Sequence, residues 1–264
     1  MPAAPGGAPA GSGGRVAFRV PNESEVADTA FLRAVRRGRA LMQATRESLP
    51  AHVGNALRCV SCHMGEGLRP DAMPWVGVYG QFPQYRSRSG KVIELEDRIN
   101  DCFERSMNGR ALARDGRDMV DIVAYMAFLS YGIPVGAEVA GQGIPRLDPL
   151  PADTVRGAQV YAANCVTCHG ASGEGTVAAP PVWGPRSYNI GAGMARVRTA
   201  AAFIKQAMPF DRPGSLTPQQ AFDVAAYINS RPRPDHRGKE QDWPHGDPPP
   251  DVAYPTDAVK RKGR

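Results

Sequence analysis

Two short cysteine motifs carry the clearest chemical signal in this sequence. Residues 59–63 read CVSCH, and residues 165–169, about a hundred positions later, read CVTCH. In such a motif two thiols can bond to the vinyl groups of one porphyrin, and the histidine that follows can bind its iron. A redox dithiol would not need the histidine, and a zinc site would need four convergent ligands. The predicted cofactors are therefore two covalently attached haem c groups, held by Cys59, Cys62, His63, Cys165, Cys168 and His169.

Each haem iron also has a second face, where a further ligand can bind. In the second half of the chain the candidate is Met208, because the following proline forces it out of helical geometry at the end of a short helix. Lys205 lies three residues earlier on the same helical face and is an alternative ligand, although an ammonium must first lose its proton. In the first half several methionines compete, which are Met64, Met73, Met107 and Met119.

The fifth cysteine, Cys102, belongs to neither motif. If residues 94–108 form one helix, steps of about 100° place Arg98, Arg105 and Ser106 within roughly 60° of Cys102, and Met107 about 140° away. A small buried apolar residue is the ordinary role of a free cysteine. An unpaired thiol in an exported protein nevertheless needs an explanation, and iron binding would supply one. Nearby cations and a metal would both favour the thiolate.

The elements that must position these residues repeat along the chain. Helical periodicity covers residues 28–48 and 118–131 around the first motif, and residues 154–164 and 217–230 around the second. The two closing segments share the phrases DIVAYM and DVAAYI. We therefore predict an all-α fold of two tandem cytochrome c domains with irregular termini. The predicted divisions are a flexible segment 1–15, domain 1 at 16–134, a linker 135–151, domain 2 at 152–231 and an extended proline-rich tail 232–264.

Net charge and hydropathy limit the kinds of partner and the cellular location that we expect for the protein. The chain has 264 residues and a formal charge of +6 that is spread along it, so we expect no nucleic-acid partner, although an anionic substrate or an acidic partner protein would be favoured. No apolar run is long enough for a membrane span. Residues 1–15 lack the apolar stretch of a signal peptide. Because haem c is attached outside the cytoplasm, we expect a periplasmic protein whose export signal is not visible in this sequence.

The segment from the first motif to Gly109 resembles the dihaem thiosulfate dehydrogenases, which form tetrathionate. The phrases that carry the resemblance are PWVGVYGQFPQYR, LEDRIN and CFERSMNG. The similarity extends over roughly residues 30–231, although its second half has mostly general cytochrome features. In the lysine-ligated members of that family lysine and methionine are adjacent, whereas Gln206 and Ala207 separate them here.

The resemblance implies an enzyme that joins two thiosulfates into tetrathionate, in some members reversibly. Its active-site iron would be bound by His63 and Cys102, and the second iron by His169 and Met208. Electrons would pass from the first haem to the second and on to an external acceptor, such as another cytochrome or redox protein. A cysteinate ligand would lower the potential of the first iron, which suits an active site.

The substrate chemistry requires positive charge, because two thiosulfate dianions must meet. The candidates for this role are Arg86, Arg88, Lys91, Arg98 and Arg105, with Ser106 on the same predicted face as Cys102. We expect Arg98 to be the nearest to the thiol. The hypothesis is a transient sulfur–sulfur bond between Cys102 and one thiosulfate, which a second thiosulfate displaces as tetrathionate. Alternatives are an electron carrier without substrate chemistry, a cytochrome acting on a carrier protein's thiol, and a dihaem peroxidase.

Overall fold

The computed structural model describes residues 15–262, and for residues 261 and 262 it describes the backbone alone. Most of the predicted flexible segment 1–15 lies outside the described residues. The helices of this part of the chain are α1 (Thr29–Gln43), α2 (Thr45–Ser48), α3 (Met64–Gly67), α4 (Leu95–Asp101), α5 (Arg117–Phe128), α6 (Thr154–Asn164), α7 (Val166–His169), α8 (Val197–Ala207), α9 (Pro218–Asn229) and α10 (Asp257–Lys262). A π-helix (Cys102–Ser106) follows α4, and two short strands, β1 (Gln84–Arg86) and β2 (Lys91–Ile93), pair antiparallel.

The two halves of the chain contain the same helix crossing. In the first half α1 packs against α5, and in the second half α6 packs against α9. A Cβ atom on Gly38 of α1 would lie 1.9 Å from the Asp121 carbonyl oxygen, and one on Gly157 of α6 would lie 2.1 Å from that of Asp223. Only glycine allows the backbones to approach this closely. The repeat predicted from the sequence is therefore a repeat of structure.

Each crossing also contains a buried aspartate, the first residue of the shared phrase. Asp121 accepts hydrogen bonds from Arg37 (2.7 Å) and Arg117 (2.8 Å). Asp223 accepts two from Arg156, at 2.8 and 2.9 Å. Because a buried carboxylate is costly unless it is paired, these arginines are part of the packing of each crossing.

The apolar core has one cluster in each half and a third between them. The third cluster joins residues near the first haem motif to α8 and consists of Met64, Ala72, Phe203 and Ala207, with Met73, Ile144, Met194 and Met208 packed against it. The two haem-binding regions therefore adjoin each other across a methionine-lined contact, in which four of the eight residues are methionine. None of the helices in residues 15–262 is both long and apolar enough to cross a membrane.

Two features depart from the predicted elements. The small β1–β2 hairpin was not expected in an all-α fold, and its last residue, Ile93, is buried. The tail was expected to be extended, yet residues 257–262 are helical. The tail also packs on the domains, because Trp243, Tyr254 and Thr256 are buried. The predicted domain limits themselves stay predictions.

Candidate functional site

A cavity of about 260 Å³ lies in domain 1 beside the first haem motif. Its wall contains Cys59, Cys62, His63 and Cys102 together, although Cys102 is far from the motif in sequence. Thr45 in α2 fixes the start of the motif, because its hydroxyl accepts a hydrogen bond from the Cys59 backbone N–H at 3.1 Å. Burial raises the pKa values of the Cys59 and Cys62 thiols to about 12.

The imidazole of His63 is held in the orientation of a metal ligand. Its Nδ1–H donates to the carbonyl oxygen of Met73 at 2.6 Å, and its ring packs on Trp75 with centroids 4.9 Å apart. Burial lowers the pKa of His63 to about 4, so the ring is neutral at ordinary pH. A histidine whose Nδ1 donates to a carbonyl presents Nε2 to a metal, and this second contact fixes its tautomer.

Cys102 lies where α4 changes into the π-helix. The N–H of Met107 donates to the Cys102 carbonyl at 2.9 Å, which is the five-residue spacing of a π turn. The prediction of one regular helix over residues 94–108 is therefore wrong after Cys102. Before it the α-helical spacing holds, and the Arg98 Nη1 lies 3.3 Å from the Cys102 sulfur. The electrostatic interaction with the Cys102 sulfur raises the pKa of Arg98.

A second guanidinium reaches the same cavity from the hairpin. Arg86, the last residue of β1, lines the cavity, and its carbon Cζ lies 5.8 Å from the centroid of the Phe82 ring. Its Nε is buried and has no hydrogen-bond partner among the described residues. Loss of solvent and the charge of Arg98 lower the pKa of Arg86. No carboxylate lines the cavity within residues 15–262, so the space beside the Cys102 sulfur is cationic.

Some of the other predicted site residues line the cavity, and others do not. Ser106 lines the cavity, as does Met107, which the regular-helix prediction had pointed elsewhere. The wider π turn changes the direction of every side chain after Cys102. Arg105 consequently lies outside the cavity and makes two 2.8 Å contacts with Asp242.

The two remaining basic candidates, Arg88 and Lys91, lie in the hairpin and do not line the cavity. Arg88 donates to the Gly191 carbonyl at 2.7 Å and stacks on Trp243, so it faces the tail instead of the cavity. Lys91 is exposed at the start of β2. Of the five basic candidates, the structure brings only Arg86 and Arg98 to Cys102.

The second motif has a similar proximal side and a different distal side. His169 Nδ1 donates to the Pro180 carbonyl at 2.8 Å, and burial lowers the His169 pKa. Met208 ends α8 in an extended conformation, as predicted for a residue before proline. Lys205 points away from it toward the Gly214 carbonyl, to which its Nζ donates at 2.6 Å. Cys168 is exposed, whereas both cysteines of the first motif are partly buried.

Both donor sets fit haem c. In each, two thiols and a neutral imidazole lie within five consecutive residues, and a backbone carbonyl holds the imidazole Nδ1. That combination is what a thioether-linked porphyrin and a proximal iron ligand require.

The family models that match divide the chain in the same way. The SoxA/TsdA cytochrome c domain matches residues 51–135, and the cytochrome c oxidase, cbb3-type, subunit III model matches residues 152–228. A thiosulfate dehydrogenase of Allochromatium vinosum is 49% identical over 230 residues, which cover 83% of this chain and 85% of that protein. A thiosulfate dehydrogenase of Psychrobacter arcticus is 43% identical, covering 96% of this chain and 79% of the relative.

The chain belongs to the thiosulfate dehydrogenase family. It is accordingly an oxidoreductase with two cytochrome c domains that binds haem c, as the resemblance predicted. The solved thiosulfate dehydrogenase TsdBA of Marichromatium purpuratum has the same fold, with a TM-score of 0.79 and 39% identity over 84% of this chain. This chain spans half the length of that one.

Several residues that line the cavity were not predicted from the sequence. Gln81 donates to the side chain of Gln142, and Gln142 in turn donates to the Val76 carbonyl at 3.1 Å. With Gln84 they give the cavity a polar amide wall near Arg86. A signal existed for two of them, because Gln81 and Gln84 lie in the phrase GQFPQYR that carried the family resemblance. Nothing local in the sequence indicated Gln142, which comes from the linker.

Proposed function

We propose that this protein oxidises two thiosulfate ions to tetrathionate at the domain 1 cavity and carries the electrons away through domain 2. The observation that carries the proposal is the 3.3 Å contact between the Arg98 guanidinium and the Cys102 sulfur in a cavity that also contains the first haem motif. A partly buried thiol beside a cation suits sulfur chemistry better than it suits a plain electron carrier. The family assignment supports thiosulfate as the substrate.

Two haem c groups are part of the proposal, one for each motif. When bound, each haem accepts one electron and passes it on, which matches a two-electron oxidation to one-electron acceptors. His63 and Cys102 would hold the first iron, and His169 and Met208 would hold the second. Lys205 is not needed as a ligand, because its Nζ is bonded to Gly214.

The arginines of the cavity lower the cost of bringing two dianions together. Arg98 and Arg86 come from different elements and both reach the cavity, while no carboxylate lines it in the described residues. The unpaired buried Nε of Arg86 is a donor that an oxyanion of the substrate could satisfy. A charge-assisted hydrogen bond of this kind contributes about 1.5–3 kcal/mol. Arg105 is excluded from this role, because Asp242 pairs it outside the cavity.

The bond changes balance in two steps. In the first, the Cys102 thiolate and the sulfane sulfur of one thiosulfate form a sulfur–sulfur bond and release two electrons. In the second, the sulfane sulfur of another thiosulfate attacks the outer sulfur of that bond, tetrathionate leaves and the Cys102 thiolate is regenerated. No proton has to move in either step. The reverse sequence would reduce tetrathionate.

Domain 2 would deliver the electrons to a partner in the periplasm. Cys168 is exposed, so the second haem motif lies at the surface, where a cytochrome or another redox protein can approach. The methionine-lined cluster between the domains brings the two sites near each other. Covalent haem attachment requires export from the cytoplasm, which supports the periplasmic location.

The test is an anaerobic titration of the oxidised holoprotein with thiosulfate, without any partner protein. We expect haem reduction in the absorption spectrum and one tetrathionate, measured by ion chromatography, for every two electrons taken up. Cys102→Ser should keep both haems and lose this reduction. A wild-type protein that stays oxidised, or a Cys102→Ser variant with full turnover, would contradict the proposal.

A further inference from the structure

We infer that the tail segment Asp242–Tyr254 is part of the framework of the thiosulfate site and positions Cys102 and Arg86 relative to each other. The inference rests on the proposed function and assigns a role to a segment outside both cytochrome domains. The tail contacts the π-helix that carries Cys102 and the hairpin that carries Arg86. It reaches neither side chain directly, so its residues are positioning residues.

The first contact is a buried ion pair. Arg105 lies in the same π turn as Cys102, three residues later, and its two terminal nitrogens each lie 2.8 Å from an Asp242 carboxylate oxygen. Asp242 is 6% exposed and also accepts a 2.6 Å hydrogen bond from the Tyr254 hydroxyl. Two-point contacts between arginine and carboxylate fix orientation as well as distance. Asp242 therefore sets the direction of the π turn.

The second contact holds the hairpin. The Trp243 N–H donates to the Arg88 carbonyl at 2.8 Å, and the Arg88 guanidinium lies 5.1 Å from the centre of the Trp243 ring. The hairpin turn fits closely against the tail, since a Cβ on Gly90 would lie 2.5 Å from the Pro244 side chain. Arg88 is thus fixed by the tail only two residues after Arg86.

The consecutive residues Asp242 and Trp243 therefore join two elements that each supply part of the cavity wall. The carboxylate of Asp242 accepts both hydrogen bonds from the Arg105 guanidinium, and its negative charge also favours the charged form of the nearby Arg88. Without it, the Arg105 guanidinium would keep two longer contacts, one of 3.4 Å with Asp101 of α4 and one of 3.5 Å with the Gly191 carbonyl. A buried guanidinium that has lost its partner moves toward water, and the π turn would move with it.

The experiment compares Asp242→Asn with the wild-type holoprotein by electron paramagnetic resonance and by kinetics. We expect the low-spin thiolate signal of the first haem to shift or to lose intensity. Turnover with thiosulfate should fall about tenfold to hundredfold, the size of effect expected from misplacing reacting groups by an ångström. Asp242→Glu, which keeps the charge, should restore part of the signal and of the turnover.

Asp121→Asn is the matched control. Asp121 is as buried as Asp242 and is also paired with arginine in domain 1, but it lies in the crossing of α1 and α5. The Asp121→Asn substitution should lower the melting temperature and leave the thiolate signal of the first haem unchanged. If Asp242→Asn does not accumulate as holoprotein, Tyr254→Phe removes only the hydrogen bond to Asp242 and should shift the same signal.

The inference is overturned if folded Asp242→Asn has wild-type spectra and kinetics, or if Tyr254→Phe, used in its place, has them. It is also overturned if Asp121→Asn changes the signal by as much, because the effect would then be general destabilisation. Failure of the proposed function is distinguishable. In that case the wild type would not oxidise thiosulfate, while the thiolate signal would still report whether the tail positions Cys102.

Discussion

The two cytochrome domains share their scaffold and differ in what faces the proposed second side of each iron. Gly38 and Asp121 in domain 1 correspond to Gly157 and Asp223 in domain 2, in the same close helix crossing. The proximal histidine is held by a backbone carbonyl in both domains. Domain 1 then adds a hairpin and a π turn, which bring two arginines to Cys102, whereas domain 2 ends a helix with Met208.

This difference indicates that the helix crossing and the reactive residues are separate features of each domain. The repeated crossing holds the haem motif in each domain and is not specific to either site. The reactive features of domain 1 lie between its motif and its closing helix, where domain 2 has no described strand or π-helix. Substitutions at the features that distinguish the domains should therefore change catalysis, whereas substitutions at the features that the domains share should change stability.

Cys102→Met should have the largest effect, because it would give domain 1 the ligand type of domain 2. We expect both haems to be retained and thiosulfate turnover to fall by about three orders of magnitude or more, since the nucleophile is lost. The potential of the first haem should rise, because a thioether replaces a thiolate. Steady-state kinetics and a spectroscopic redox titration measure these changes. Retained turnover would mean that the domains do not differ in the way proposed.

Arg98→Gln should have the next largest effect. It removes the cation beside the Cys102 sulfur and should lower kcat/KM by roughly 10- to 150-fold, which corresponds to about 1.5–3 kcal/mol. Arg58→Gln is the control, because Arg58 also lines the cavity but pairs with Glu47 at the surface. Surface pairs contribute little, so its kcat/KM should stay close to that of the wild type. Equal losses in the two variants would argue against a specific role for Arg98.

The features that could be predicted from the sequence are those that depend on residues only a few positions apart. The haem motifs, the helix capped by Thr217, the extended Met208 and the pairing of Arg98 with Cys102 all follow from spacings of a few positions. The π turn was not predictable, because its register is set by backbone hydrogen bonds between residues five positions apart, such as the one from the Met107 N–H to the Cys102 carbonyl. The direction of Arg105 depends on Asp242, which is 137 positions away. Long-range partners of this kind leave no periodic pattern in a single sequence.

Met208→Leu tests the distal side of domain 2. We expect the potential of the second haem to fall by a fraction of the roughly 0.8 V that axial ligands span, because the thioether favours the reduced iron. Electron delivery to an external acceptor should slow, while the thiolate signal of domain 1 should stay unchanged. Potentiometry and paramagnetic resonance on the same sample check both statements. A changed domain 1 signal would show that the two sites are not independent.

Asp121→Asn and Asp223→Asn test what the domains share. Each removes the carboxylate at a helix crossing, so each should lower the melting temperature by about 2–8 °C. Neither aspartate lines the domain 1 cavity, so the kcat of the remaining folded protein should not change. Thermal unfolding followed by circular dichroism, with activity measured at low temperature, separates the two quantities. A loss of stability in only one variant would mean that the crossings are alike in geometry but not in energy.

Lys205→Ala should have the smallest effect, and it decides whether lysine ligation belongs in the comparison of the two domains. The Lys205 Nζ donates to the Gly214 carbonyl at 2.6 Å, and before it could bind iron it would have to break this bond and lose a proton. We therefore expect unchanged spectra of both haems and a melting temperature within about 2 °C of the wild type. The sharper comparison is Met208→Leu with and without Lys205→Ala. If the two Met208→Leu backgrounds have the same spectrum, lysine does not replace the lost thioether and domain 2 has one distal ligand. A difference between them would make Lys205 a second ligand, released when the methionine is absent.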